Sequence, residues 1–221
     1  GSKRRGRGIL QGSSLPPTIQ KVVEEVAGFV LNYEPAGERH RRGYIFGSNG
    51  LSLCLFREQK SLKTGCLPDF LDEVECQLKL SNSSNGLPFV GDFKIIASNR
   101  ELCFDPNSFF AASKIARFYL DNGAHLLDPI PHYTLLKRAI LSLPNAESKN
   151  LVLLKLYFEF SRKEGLPVRE AWLRDLPSDC RRLAESWLSL PVKEVSADDE
   201  ALNDILDLLR NWMNSETELQ V

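Results

Sequence analysis

The sequence predicts an α+β chain: an N-terminal five-stranded OB-fold barrel followed by an α-helical domain. Three observations carry this reading. Short β-prone runs fill residues 26 to 97, and an Asn-Gly step joins two of them. From Asp105-Pro106 onward, apolar residues recur at helical spacing instead. The expected organisation is a basic tail over 1–17, a barrel over 18–102 and a helical domain over 103–221, joined near Arg100 to Asp105.

Val26 to Tyr33 reads as the first strand. Tyr44 to Phe46 and Leu51 to Phe56 flank Ser48-Asn49-Gly50, where Asn49 and Gly50 are expected to take positive φ at the centre of a hairpin. Val74, Cys76, Leu78 and Leu80 alternate with Glu75, Gln77 and Lys79, the period of a strand with one wet face. Phe93 to Ala97 supplies a fifth strand after the polar loop 82–86. Five strands at this spacing fit an OB barrel.

Asp105-Pro106 opens the first helix, since Asp accepts a bond from an orphan N–H and Pro suits the first helical position. Its stripe of Ile115, Phe118 and Tyr119 stops at Asn122-Gly123. After a turn at Pro129 and Pro131, Leu135, Leu136, Ala139, Ile140 and Leu143 form a second stripe. Leu151 to Phe160 is apolar on most faces and belongs at the centre of a bundle. A helix from Ser178 buries Leu183, Trp187 and Leu188, and a last one, capped by Ser196, carries Leu202 to Met213.

Composition bounds the function. The 221 residues are 43% hydrophobic and 26% charged with a net charge of −1, which is the mix of a globular chain. Near neutrality excludes proteins that coat nucleic acid by bulk charge but permits a local basic surface. No apolar run approaches the roughly 20 residues of a membrane span, and the basic N-terminus does not resemble a secretory signal. Cysteines 54, 66, 76, 103 and 180 are odd in number and widely spaced, which points to a reducing, cytoplasmic setting. The tail cations Lys3, Arg4, Arg5 and Arg7 are expected to be disordered.

No enzyme site, cofactor site or metal site is expected. Gly43 to Gly50 lacks the Gly-Lys-Ser/Thr ending of a phosphate loop, and His40, His125 and His132 are scattered. The acidic groups Asp72-Glu73-Glu75 and Asp198-Asp199-Glu200 read as a solvated face and a helix start. What stands out is basic. Arg39, Arg41 and Arg42 lie between the first two strands, and Arg57, Lys60 and Lys63 follow the third. On an OB barrel these flank the face used for single strands, where guanidinium groups neutralise phosphates. Tyr44, Phe46 and Phe56 would stack on bases if they pointed outward.

Gly28 to Arg39, the hairpin Phe46 to Ser52, the link Arg57 to Lys63, and the helices at 109–119, 150–165 and 202–214 together resemble the RecO recombination mediators. The resemblance covers nearly all of the chain after the tail. It implies a bacterial, nucleoid-associated DNA-repair protein without catalytic turnover. Such a protein binds single- and double-stranded DNA, anneals complementary strands and, with a RecR-like mediator, loads recombinase onto strands coated by single-strand-binding protein. It also implies a contact with the acidic, apolar-ended tail of that coat protein, for which Arg117, Lys137 and Arg138 are the candidate cations. Many members carry a four-cysteine zinc module after the third helix; residues 166–195 hold only Cys180, so that module is not carried over. The alternative is a protein-interaction adaptor whose barrel does not bind DNA.

Overall fold

The structure, a computed structural model, describes residues 23–58, 67–80 and 86–221. Lys60, Lys63 and the basic tail lie outside the described residues. Five strands come first: β1 (Val23–Pro35), β2 (His40–Gly47), β3 (Gly50–Arg57), β4 (Glu73–Lys79) and β5 (Phe89–Ala97). Five α-helices follow: α1 (Pro106–Asn122), α2 (Pro129–Ser142), α3 (Lys149–Lys163), α4 (Ser178–Ser189) and α5 (Asp199–Glu216). A short 3-10 turn, Arg100–Cys103, links the two halves.

The strands close on themselves in the order β1-β2-β3-β5-β4. The long strand β1 makes this possible, pairing with β2 through Gly28↔Gly47 to Pro35↔Arg41 and with β4 through Val23↔Lys79 to Phe29↔Glu73. The seam is the short parallel pairing of β3 and β5 at Leu55↔Phe89, beside a bond from Leu55 N to Pro88 O of 2.8 Å. Where β1 crosses β2 the backbones nearly touch: a Cβ on Gly47 would sit 1.7 Å from Ala27 O. Only glycine fits there.

The hairpin between β2 and β3 differs from the expected one. Gly47 pairs with Gly50, Ser48 and Asn49 keep negative φ, and Gly50 alone is left-handed at φ 88°. The loop keeps its two residues, Ser48 and Asn49, and the left-handed position falls on Gly50, the first residue of β3.

Strand alternation divides the apolar residues between two cores. Val26, Val30, Ile45, Cys54, Phe56, Val74, Cys76 and Leu78 fill the barrel. Phe29, Leu31 and Phe46 point outward into the helical core, where Phe46 meets Tyr119 at 4.7 Å between ring centroids. Leu80, expected on the inner face of β4, lies beyond the last ladder pair and is exposed.

Three of the five helix starts are capped by an aspartate. Asp105 accepts from Asn107 N and Ser108 N, and the hydroxyl of Ser108 donates to it at 2.6 Å. These bonds, with the Ser108 hydroxyl first, hold the Asp105 carboxyl below its usual range. Asp128 caps α2, so Pro129 and Pro131 sit in its first turn, where a missing N–H costs nothing, rather than in a preceding loop. Asp198, not Ser196, caps α5 by accepting from Ala201 N at 3.0 Å. The third helix α3 runs through the middle of the bundle, with Leu151 to Leu154, Leu156, Tyr157, Phe158 and Phe160 buried. A wide π-type turn, Val168–Leu173, follows it and buries Trp172; no sequence signal had marked it.

Candidate nucleic-acid interface

Of the basic residues expected around β2 and β3, the four that are described, Arg39, Arg41, Arg42 and Arg57, gather at one end of the barrel. The ladder continues past both strand ends: His40 pairs with Arg57, and Glu58 N donates to Arg39 O at 2.8 Å. Arg39, Arg41 and Arg57 are exposed there, and Arg42 is half-buried. Their charges are not equally available. The Arg41 guanidinium is paired with Glu58, and Arg42 Nη1 lies 3.5 Å from Glu34. Glu34 also accepts from the Tyr44 hydroxyl at 2.8 Å. Arg39 and Arg57 form no ion pair with any described residue, so they are the cations that can meet an anion without breaking a bond first.

The aromatic residues require a correction. Phe46 and Phe56 are 0% and 1% exposed, one in each core, and neither presents a face to solvent. Tyr44 is half-buried with its hydroxyl held by Glu34. At this end of the barrel, Phe89 at the start of β5 does reach the surface, 37% exposed and edge-on to His40 at 5.6 Å. The sequence expectation placed this strand at Phe93 to Ala97, whereas it begins four residues earlier, at Phe89.

The three cations expected to receive a partner's tail do not converge. Lys137 Nζ reaches both carboxylate oxygens of Glu73 on β4, at 2.7 and 2.9 Å, and so ties α2 to the barrel. Arg117 pairs with Asp121 at 2.7 Å on α1. Arg138 is exposed on α2 and borders a groove of about 460 Å³ floored by Leu135, Val152 and Leu156. The acidic group Asp72-Glu73 is not a solvated face either. Asp72 is 2% exposed and accepts from Asp69 N and Asn99 N, while Glu73 is held by Lys137 and by the Tyr133 hydroxyl at 2.5 Å.

Elsewhere on the barrel, the exposed residues Glu25, Glu75, Asp92 and Lys94 line a depression of about 370 Å³. Among the described residues, no group of three or more His, Cys, Asp or Glu is placed to hold a metal ion. The two barrel thiols, Cys54 and Cys76, are both pushed up to about 12, chiefly by burial, and stay protonated at neutral pH. No helix among the described residues is long and apolar enough to cross a membrane.

No family model and no curated protein matches the chain. Among solved structures it is similar to two crystal structures of asparaginyl-tRNA synthetase from Pyrococcus horikoshii, one of them complexed with asparaginyl-adenylate. Identity is 14% and 13%, the TM-score is 0.29 in both, and the similarity covers 70% and 69% of this chain. It covers 36% and 33% of those chains, so this chain spans about a third of their length. One expectation is corrected here. These structures are enzymes, and absence of catalysis is therefore not carried forward, while a TM-score of 0.29 carries no argument that this chain shares their activity.

Proposed function

We propose that this chain is a nucleic-acid-binding mediator of the RecO type, which holds single strands on an OB-fold barrel and promotes the pairing of complementary strands. The observation that carries the reading is the pair of cations Arg39 and Arg57, without an ion pair among the described residues, at the β2–β3 end of a closed barrel, with Phe89 exposed beside them. Phosphate neutralisation binds a strand without reading its sequence and leaves base edges free to pair. Phe89 offers one stacking face on the same side. Arg41 and Arg42 contribute less, because a phosphate must compete there with Glu58 and Glu34.

The proposed partners are single- and double-stranded DNA, a RecR-like mediator and the acidic tail of a single-strand-binding protein. For the tail, the groove beside Arg138 has the required combination of an apolar floor and a cation. The adaptor reading draws support from those same two ion pairs, which reduce the free charge of the barrel end. One titration separates the two. Anisotropy of a labelled oligonucleotide, followed at low and moderate salt, shows strongly salt-dependent binding and annealing for the mediator, and no binding at either salt for the adaptor.

A further inference from the structure

We propose that a groove between α1 and α5 is a second nucleic-acid site, which takes a single strand with one base against Phe110 and its phosphates on Lys114 and Arg210. The inference rests on the mediator reading and extends it: a protein that pairs two strands has to hold both, and the barrel end accounts for one.

The groove has a volume of about 340 Å³ and shares no residue with the β2–β3 end. Phe110, Lys114 and Arg117 line it from α1 at positions i, i+4 and i+7, so they stand in a row along one helix face. Arg210 enters from α5, and the buried rings of Phe118 and Tyr157 form the floor. Phe110 is 63% exposed, an unusual exposure for a phenylalanine beside three cations. Lys114 Nζ lies over its ring, 4.5 Å from the centroid.

Three cations, Lys114, Arg117 and Arg210, face two carboxylates, Asp121 and Asp207, and Gln220 and Val221 also line the groove. Arg117 pairs with Asp121 and Arg210 with Asp207 at 3.3 Å, but Lys114 forms no ion pair with any described residue. Burial, and then the nearby Arg210, hold the Lys114 ammonium below its usual value, with Asp207 opposing them. The side chains of Arg117 and Asp207 are largely exposed, so both pairs are weak and exchangeable. A polyanion relieves this repulsion. A strand of nucleic acid also supplies a flat base for the open side of Phe110, which an acidic peptide does not, and base-on-aromatic stacking tolerates any sequence.

The test uses the whole chain and a fluorescein-labelled oligodeoxythymidine. Phe110→Trp provides a local reporter, read as a difference from the wild type, whose own Trp172 and Trp187 are buried and whose Trp212 on α5 is half-buried. Added oligonucleotide should quench the variant beyond the wild-type baseline. In Lys114→Ala/Arg210→Ala, saturating stoichiometry should fall from two strands per chain to one and annealing should slow by roughly tenfold, with thermal melting unchanged. If this double variant keeps both values while Arg39→Ala/Arg57→Ala loses them, the groove inference is wrong and the barrel reading stands. Wild-type protein that binds no oligonucleotide at low salt overturns both. Quenching of Phe110→Trp by a short Asp-rich peptide but not by the oligonucleotide overturns the groove's assignment to nucleic acid.

Discussion

Lys137 on α2 grips Glu73 on β4 with both carboxylate oxygens, at 2.7 and 2.9 Å, across the boundary between helices and barrel. The Glu73 side chain is 10% exposed and that of Lys137 45%, so the carboxylate is the partner that depends on the bond. Tyr133 donates to the same carboxylate, and burial together with that bond raises its phenol well above the ordinary value. Lys137→Ala should therefore cost about 1–2 kcal/mol in urea unfolding, discounted for the exposed ammonium and the surviving Tyr133 bond. Because the lysine is occupied in this way, the affinity for an acidic tail peptide should change little. A large loss of tail binding with unchanged stability would place Lys137 in the partner site instead.

The approach of β1 to β2 makes the glycines there unequal. Gly47→Ala forces a Cβ against Ala27 O and should destabilise the barrel by about 3 kcal/mol or more, or prevent folding. Gly50→Ala meets only Pro129 Cγ at 3.4 Å and bears the strain of its φ of 88°, so a cost of about 1 kcal/mol is expected. Comparing denaturation midpoints of the two variants checks the order.

His132 should make stability fall in mild acid. The ring is 1% exposed, its Nε2 lies 2.7 Å from Glu164 Oε1, and Nδ1 is buried without a partner. Burial lowers its value below the ordinary 6.5, although Glu164 opposes this, so folding disfavours the imidazolium. Stability is then fully present above pH 6.5 and is lost as pH falls from there through the lower folded value. His132→Leu should flatten this part of a urea-midpoint profile between pH 7.5 and 5. An equal slope in wild type and variant would assign the acid sensitivity to another group.

Phe89 and Phe56 should separate binding from folding. Phe89→Ala removes a partly exposed ring and should weaken single-strand binding roughly fivefold, about 1 kcal/mol, with the fold intact. Phe56→Ala empties the barrel core and should cost about 3–5 kcal/mol of stability. Binding that is unaffected by Phe89→Ala would remove stacking from the barrel end.

Element order was legible in the sequence because period and punctuation agree: alternation at Val74 to Leu78 gives β4, and Asp105-Pro106 gives the start of α1. The misreadings share a cause. Ser196 and Asp198 are both good caps, and only the approach of Ala201 N chooses between them. The start of β5 breaks the strand period, because Gly91 sits at an irregularity where the register against β4 shifts between Gln77 and Leu78. The basic cluster at Arg39 to Arg57 was legible as composition, but its division into free and paired cations was not. Glu34 faces Arg42 through strand register, and Glu58 reaches Arg41 from 17 residues away. The partner-tail set failed to gather for the same reason, since nothing local ties Lys137 to a residue 64 positions earlier.

The salt dependence of oligonucleotide binding in Arg57→Ala/Lys60→Ala/Lys63→Ala tests the proposed barrel interface most directly. Each lost phosphate contact should lower the log–log slope by about 0.7, so the triple variant should be flatter than wild type by roughly two units and anneal more slowly, with unchanged melting. Equal affinity and equal slope in the two proteins would contradict a strand-binding site at the β2–β3 end of the barrel.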